Sequence, residues 1–405
     1  MLHLNNGMTV PSPRNFMLFL TQDCQMRCTY CFEEHRQAEQ MSFETAKKAV
    51  DFLAANVMVD NNTPSVSFFG GEPMLRWNEV IVPLVQYVRS TYENFGIHIT
   101  TNGLLLNEER LKFFKDNNVG IMLSIDGAEN GHNATRQYTN GQPTFDDLVP
   151  TINLLVREAG YIPFRMTVTP SNVQYFFESV QWFHNRGVQN LRAFPNIYEE
   201  WSDEAIAELD RQLKLYNNYI YSCFMTDQNP LIVDYYEFFF KKIPVKNYEQ
   251  EKGMYRSAYF CQTCNRCGIG LLGNFMCNYK GEIFTCDRYV VADESNPCFV
   301  GNLDDGIDEA KISALYEMCN AENLHSTTLD CSACPLNSIC SGGCIPVNYQ
   351  LTGSFTEVPM SYCRWNQTLY RNISALLERF DTEQISERFR TYFQEVAQRR
   401  TLYVG

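Results

Sequence analysis

The sequence predicts an α/β protein: a partial (β/α)6 barrel, then a loop-rich, cysteine-dense segment, then C-terminal helices. Three observations carry this prediction. Six short β-rich runs alternate with six longer stretches of helical period. Six such units fall short of the eight that close a full barrel. The chain also holds sixteen cysteines, twelve of them between Cys261 and Cys363.

The first β-rich run is Phe16 to Thr21, and Ser42 to Asn56 is the helical stretch after it. Ser65 to Phe69 precedes Glu79 to Ser90, and Ile97 to Thr101 precedes Asn107 to Asn117. Gly120 to Ile125 is followed by Phe145 to Ala159, Phe164 to Thr169 by Asn172 to Asn185, and Asn190 to Phe194 by Ser202 to Met225. Parallel neighbours need helical crossovers, so this order implies a parallel sheet. A doubly wound sheet shares the pattern and stays open as the alternative. Thr226 to Phe260 is aromatic-rich and reads as a connector with a helix of its own. Cys261 to Cys363 is rich in Gly and Asn, shows little periodicity, and needs metal centres as staples. Helical periodicity returns after Cys363, with a break near Asp381, and runs to about Arg400. The expected domains are residues 1–225, a connector over 226–260, the cysteine-dense domain over 261–365, and helices over 366–405.

At 405 residues the chain can bury a large core. A net charge of −14 leaves no basic footprint for nucleic acid or a membrane surface. No segment is apolar over a membrane span; Phe16 to Leu20 is too short, and no signal-peptide pattern surrounds it. The expectation is a soluble cytoplasmic protein that binds neither nucleic acid nor membrane. Because the cytosol keeps thiols reduced, the cysteines point to metal or cluster ligation rather than disulfides.

Cys24, Cys28 and Cys31 form a C-x3-C-x2-C run, with Tyr30 before the last cysteine. Three thiolates can hold a [4Fe–4S] cluster and leave one iron open to a further ligand. A zinc site closed by His35, or three buried thiols, are the competing readings. Strand ends in a parallel barrel gather ligand-handling residues, and polar, glycine-rich pieces recur at successive ends here. They are Gly70-Gly71-Glu72-Pro73, Thr100-Thr101-Asn102-Gly103 and Ser124-Ile125-Asp126-Gly127. Two glycines let backbone approach a ligand closely, and a carboxylate beside them accepts hydrogen bonds from an ammonium group.

The combination resembles the radical S-adenosylmethionine (SAM) superfamily. In that family SAM chelates the open iron, and an electron from the cluster cleaves it to a hydrogen-abstracting 5′-deoxyadenosyl radical. The resemblance implies that Gly70, Gly71 and Glu72 lie at the SAM amino group. It places Ser124 and Arg136 near the ribose and carboxylate, Asn102 as a further contact, and Tyr30 near the adenine. A guanidinium suits a carboxylate because it binds bidentately.

The later cysteines carry a second resemblance. Cys267 precedes Gly281 and Cys286 in a C-x13-G-x4-C arrangement, followed by C-x2-C-x5-C-x3-C over Cys331, Cys334, Cys340 and Cys344, and a final Cys363. This pattern is similar to the SPASM domain of radical SAM enzymes that modify peptides and proteins, an auxiliary iron–sulfur domain. The resemblance implies two auxiliary [4Fe–4S] clusters. One uses Cys267, Cys286 and Cys344 with Cys261 as fourth ligand, where Cys264 or Cys277 compete or the site stays open; the other uses Cys331, Cys334, Cys340 and Cys363. Cys223, Cys264, Cys277, Cys298 and Cys319 are then spare. A zinc ribbon over Cys331 to Cys344 is the competing reading. Asp287 follows Cys286, where related anaerobic sulfatase-maturating enzymes have an aspartate proposed to take a substrate proton; accepting local backbone hydrogen bonds is the other reading.

The resemblance thus implies a radical SAM oxidoreductase with SAM and three [4Fe–4S] clusters. The leading expectation is a peptide maturase that crosslinks a ribosomally made precursor by a thioether or carbon–carbon bond. A flavodoxin- or ferredoxin-type donor would reduce it. With the motif beginning at Cys24, no leader-binding domain is expected ahead of it, which leaves a separate leader-binding protein or other surfaces of the enzyme. The alternatives are a sulfatase-maturating, formylglycine-generating enzyme and, in another class, an iron–sulfur electron carrier.

Overall fold

The computed structural model describes residues 2–3, 9–10, 14–33, 39–56, 63–240, 274–290, 296–318, 330–336, 340, 343–380, 388–389 and 391–392. After a two-residue ladder of Leu2–His3 with Thr9–Val10, the strands are β1 (Asn15–Thr21), β2 (Ser65–Gly70), β3 (Gly96–Thr101), β4 (Val119–Ser124), β5 (Pro163–Val168) and β6 (Asn190–Pro195). Shorter ones follow: β7 (Asn274–Cys277), β8 (Glu282–Phe284), β9 (Phe299–Asn302) and β10 (Gly306–Ile307). The helices are α1 (Phe43–Asn56), α2 (Val82–Thr91), α3 (Glu108–Asp116), α4 (Glu129–Asn133), α5 (Phe145–Glu158) and α6 (Phe176–Asn185). They continue as α7 (Asp203–Met225), α8 (Asp234–Phe240), α9 (Glu309–Met318), α10 (Ile345–Thr352) and α11 (Met360–Arg379).

All six expected strands and their helices are present, so the α/β class with a parallel sheet holds. Local chemistry sets their ends. Ser42 Oγ accepts the Thr45 N–H at 3.0 Å ahead of α1, Asn107 caps α3 and Ser202 caps α7. The expected helix over Glu79 to Ser90 becomes regular only at Val82, after a π turn over Trp77–Ile81, with Pro83 in its first turn. The cysteine-dense region is more ordered than its lack of periodicity implied. Its strands run two to four residues, too short to display a period of two.

The chain divides into two compact units. The first comprises Met1–Gln25, Cys31–Ile121 and Arg256–Val358; the second comprises Met26–Tyr30, Met122–Tyr255 and Pro359–Gly405.

In the first unit the strand order is β10-β9-β8-β7-β1-β2-β3. The β7-β1, β1-β2 and β2-β3 pairs are parallel, whereas β7 to β10 pair antiparallel. Asn15 faces both Ser65 and Asn274, so a strand of the cysteine-dense region extends the parallel sheet directly. Phe16, Leu18, Val66 and Phe68 are wholly buried, and each contributes roughly 1.5–3 kcal/mol by leaving water.

In the second unit β4, β5 and β6 are parallel, with Ser124 level with Arg165 and Arg165 level with Arg192. Its core is aromatic: Phe164 meets Phe183 and Phe176 meets Tyr216 with ring centroids 5.9 and 5.6 Å apart. The Tyr216 hydroxyl donates to Leu231 O at 2.8 Å and accepts the Val233 N–H at 2.9 Å. Asn217 Nδ2 donates to Asn372 O at 2.8 Å, tying α7 to α11. Among the described residues no helix is long and apolar enough to cross a membrane.

Candidate active site

In the first unit the strand ends of β1, β2 and β3 meet. The Gly71 N–H donates to Thr21 O and the Glu72 N–H to Asp23 O, both at 2.8 Å. A Cβ at Gly70, where φ is +112°, would stand 2.4 Å from Thr21 O; one at Gly71 would stand 2.2 Å from Asp23 O. The glycine pair is therefore required for backbone to lie against the residues leading into Cys24. Glu72 is fully buried. Its Oε1 accepts the Met74 N–H at 3.0 Å and the Thr101 hydroxyl at 2.7 Å, and its Oε2 accepts the Asn102 N–H at 2.8 Å. That carboxylate locks the end of β3, and Asn102 Nδ2 in turn donates to Cys24 Sγ at 3.6 Å.

The second unit holds Cys28, Tyr30, Ser124 and Arg136. The Arg27 N–H donates to Gln137 O at 2.7 Å and the Thr29 N–H to Thr135 O at 2.9 Å, fixing the middle of the cysteine run. Arg136 is 7% exposed. Its Nη1 donates to Cys28 Sγ at 3.8 Å, its Nε lies 3.0 Å from Asp126 Oδ2, and its Cζ is 5.6 Å from the Tyr30 ring centre. Burial works against the Arg136 charge, but Asp126 and Tyr30 outweigh it and keep the group firmly protonated. Burial, and then Asp126 against the opposing pull of Arg136, pushes the Tyr30 phenol well above its ordinary range.

His132 is fully buried, and burial, with Arg136 nearby, pulls its pKa down to about 3. It is neutral in the folded protein at any pH above that. The unfolded chain takes up a proton there below about 6.5, so stability is lost as pH falls from there towards 3. The loss is on the order of 5 kcal/mol. Urea melts at a series of pH values should show His132→Gln with a flatter acid limb than wild type; parallel limbs would contradict the assignment.

In the cysteine-dense region Cys286 is 6% exposed, and its Sγ lies 3.7 Å from Asp287 Oδ1. Burial first, then Asp287, pushes the Cys286 thiol well up. Arg288 Cζ stands 4.4 Å from the Phe32 ring centre, bringing the Cys286 segment beside the residue that follows Cys31. Cys344 precedes α10, and the Cys334 N–H donates to Cys331 O at 3.2 Å in a turn. Cys363 lies in the first turn of α11, in the second unit. Cys223, Cys277 and Cys298 are buried. Cys261, Cys264, Cys267, Cys319 and His35 lie outside the described residues.

His132 and Arg288 are the residues that sequence reasoning missed, and Thr101 and Asp126 stood in its strand-end pieces without a role of their own. For Asp126 the only signal was an Asp-Gly pair, which also marks ordinary turns.

A family model described as "Radical SAM superfamily" matches residues 18–183. The chain carries a radical SAM domain. An uncharacterised protein of Methanocaldococcus jannaschii is 33% identical over 45% of this chain, which spans 62% of that protein. The radical SAM cyclopropyl synthase TigE of Paramaledivibacter caminithermalis is 22% identical over 88% of this chain and 73% of its own. A cysteine-type anaerobic sulfatase-maturating enzyme of Clostridium perfringens is 21% identical over 79% and 85%. Among solved structures, native anSMEcpe with bound AdoMet and Kp18Cys peptide superposes with a TM-score of 0.71, at 20% identity, covering 91% of this chain and 98% of that one. Streptococcus suis SuiB bound to precursor peptide SuiA gives 0.57 at 16% identity, covering 87% and 76%. The fold is thus shared with anSMEcpe and SuiB.

The radical SAM domain over residues 18–183 implies SAM and a [4Fe–4S] cluster, and the donors near Cys24 and Cys28 fit such a cluster. Each of these two sulfurs faces an N–H from a buried side chain, the kind of hydrogen bond that tunes iron–sulfur thiolates. Among the described residues no three His, Cys, Asp or Glu side chains converge as they would on a single metal ion. A cubane carries its irons apart, so its thiolates need not converge on one point.

Proposed function

We propose that the protein is a radical SAM peptide maturase that crosslinks a ribosomally made precursor through a thioether or carbon–carbon bond. The observation that carries this reading is the matching of thiols to donors, Asn102 at Cys24 and Arg136 at Cys28. When bound at Cys24, Cys28 and Cys31, a reduced [4Fe–4S] cluster with SAM supplies hydrogen-atom abstraction. Gly70 and Gly71 admit the SAM amino group close to backbone, and Glu72 carries the countercharge. Arg136 grips the carboxylate, Ser124 and Asn102 contact the rest of the molecule, and Tyr30 flanks the adenine.

On the same reading Cys261, Cys267, Cys286 and Cys344 hold one auxiliary cluster, and Cys331, Cys334, Cys340 and Cys363 another. Asp287 accepts a substrate proton, supported by its place between Cys286 and Arg288. The domains are then 1–225 for the barrel, 226–260 for the connector, 261–365 for the auxiliary clusters and 366–405 for the helices. A flavodoxin- or ferredoxin-type donor reduces the enzyme, and a separate leader-binding protein or the enzyme's own surface receives the precursor. TigE, described as a cyclopropyl synthase, and SuiB, bound to a precursor peptide, support this choice of substrate.

A sulfatase-maturating activity is the second reading, favoured by Asp287 beside Cys286 and by the likeness to the Clostridium perfringens enzyme. Anaerobic reconstitution with iron and sulfide, reduction, and addition of SAM should yield 5′-deoxyadenosine. A peptide encoded beside this gene should then lose a pair of hydrogens. A hydrazide-reactive aldehyde on a sulfatase peptide would transfer the assignment to the second reading. Intact clusters with no 5′-deoxyadenosine would leave only an electron carrier.

A further inference from the structure

Asp126 is wholly buried at the end of β4, and it joins two of the three chain pieces of the second unit, 26–30 and 122–255. Its Oδ2 accepts the Tyr30 hydroxyl at 2.6 Å and the Thr135 hydroxyl at 2.8 Å, and lies 3.0 Å from Arg136 Nε. Its Oδ1 accepts the Thr167 N–H at 2.9 Å. An ionised carboxylate offers about four acceptor sites. Oδ2 takes three of those partners and Oδ1 one, the Arg136 contact being an ion pair rather than a hydrogen bond, and with Asp126 wholly buried it cannot meet a substrate directly. What it can do is orient its neighbours.

Two of those neighbours matter. Tyr30 belongs to the cysteine run, and Arg136 reaches Cys28. Asp126 stands against Arg136 Nε while Nη1 donates to Cys28 Sγ, so Nη2 is the nitrogen turned to neither and the one a carboxylate ligand would meet. A second layer holds the same geometry. The Asp126 N–H donates to His132 Nδ1 at 3.4 Å, which leaves the proton of the neutral ring on Nε2. Nε2 then donates to the Thr144 hydroxyl at 3.0 Å, and that hydroxyl donates to Arg136 O at 3.1 Å. Backbone and side chain of Arg136 are thus both tied back to one carboxylate residue.

We propose that Asp126 is a positioning residue that presets the Arg136 guanidinium for the carboxylate of SAM and anchors the cysteine run through Tyr30. This rests on the reading of Arg136 as the carboxylate contact. A merely structural aspartate would alter stability but not the preference between ligands that differ only in that carboxylate.

The test is equilibrium binding of SAM and of decarboxylated SAM to the reconstituted, reduced protein, with iron and sulfide assayed on each sample. The cluster's electron paramagnetic resonance spectrum is followed as each ligand is added. The two ligands share the adenine, so any lost adenine contact cancels in the ratio of their affinities. Wild type should prefer SAM by about tenfold or more, the value of one charged hydrogen-bonded contact. Asp126→Asn should lower that ratio by about tenfold, the share owed to Arg136, with cluster content unchanged. Thr135→Val, which removes a single donor to Oδ2, should lower it by about threefold, on the scale of one neutral hydrogen bond, and decides the matter alone if Asp126→Asn does not fold. An unchanged ratio in the folded variants would overturn the role of Asp126 while sparing that of Arg136. Wild type that binds both ligands equally would overturn the Arg136 contact itself, and this inference with it.

Discussion

Cys28→Ala is expected to bring 5′-deoxyadenosine formation down to the uncatalysed background and to remove about four irons per chain, one cluster's worth. The expectation follows from what surrounds this thiol. Cys28 sits in a stretch clamped on both sides by the Arg27 and Thr29 N–H groups, which fix its place in the chain. Arg136 Nη1 faces its sulfur, and with the sulfur gone a buried guanidinium loses one of its partners. The control is Cys223→Ala in α7, a buried thiol far along the chain from any expected ligand. It should keep full iron and activity, with a stability loss of about 1 kcal/mol for the small volume removed. Iron and sulfide assays with chromatographic detection of 5′-deoxyadenosine check both variants. Substantial turnover by Cys28→Ala would sink the assignment of the first cluster.

Gly71→Ala has the second-largest expected effect, and it acts through backbone. Its new methyl would meet Asp23 O at 2.2 Å, Asp23 C at 2.7 Å and Gln22 O at 2.7 Å. None of these atoms can rotate aside, since all belong to the main chain. Overpacking of this kind costs about 1–3 kcal/mol. The displacement would also break the Glu72 N–H bond to Asp23 O and shift the residue that precedes Cys24. Thermal melts should therefore show a destabilised protein that also retains less iron after reconstitution. Gly141→Ala is the contrast: φ there is +79° but nothing lies within 4 Å, so a local conformational cost of about 1 kcal/mol should leave the cluster untouched. A Gly71→Ala protein with full iron would mean that the approach of β2 to the cysteine run does not govern the cluster.

Much of this architecture was legible before any coordinates. Every barrel strand lies within a residue or so of its expected bounds, because a run such as Phe16 to Leu20 states its burial directly. Helix ends were equally local, since Asn107 and Ser202 carry their caps in their own side chains. The α4 turn over Glu129–Asn133 was not legible, being too short to show a period. The same holds for the strands β7 to β10, of which β7 joins the parallel sheet beside β1.

The site divides along the same line. Cys24, Cys28 and Cys31, the Gly70-Gly71-Glu72 turn and Asn102 could be picked out because each is a local pattern with its own chemistry. Asp126 could not, since its meaning comes from Tyr30, distant from it by 96 positions in sequence. Nor could the neutrality of His132, which burial imposes. The sequence by itself determined the α/β class, the order of its elements and the cysteine spacing, all set by interactions among near neighbours. Only the tertiary structure decided which strand ends meet and which carboxylate orients which cation. Those contacts depend on strand register and burial, and both are properties of residues far apart in the chain.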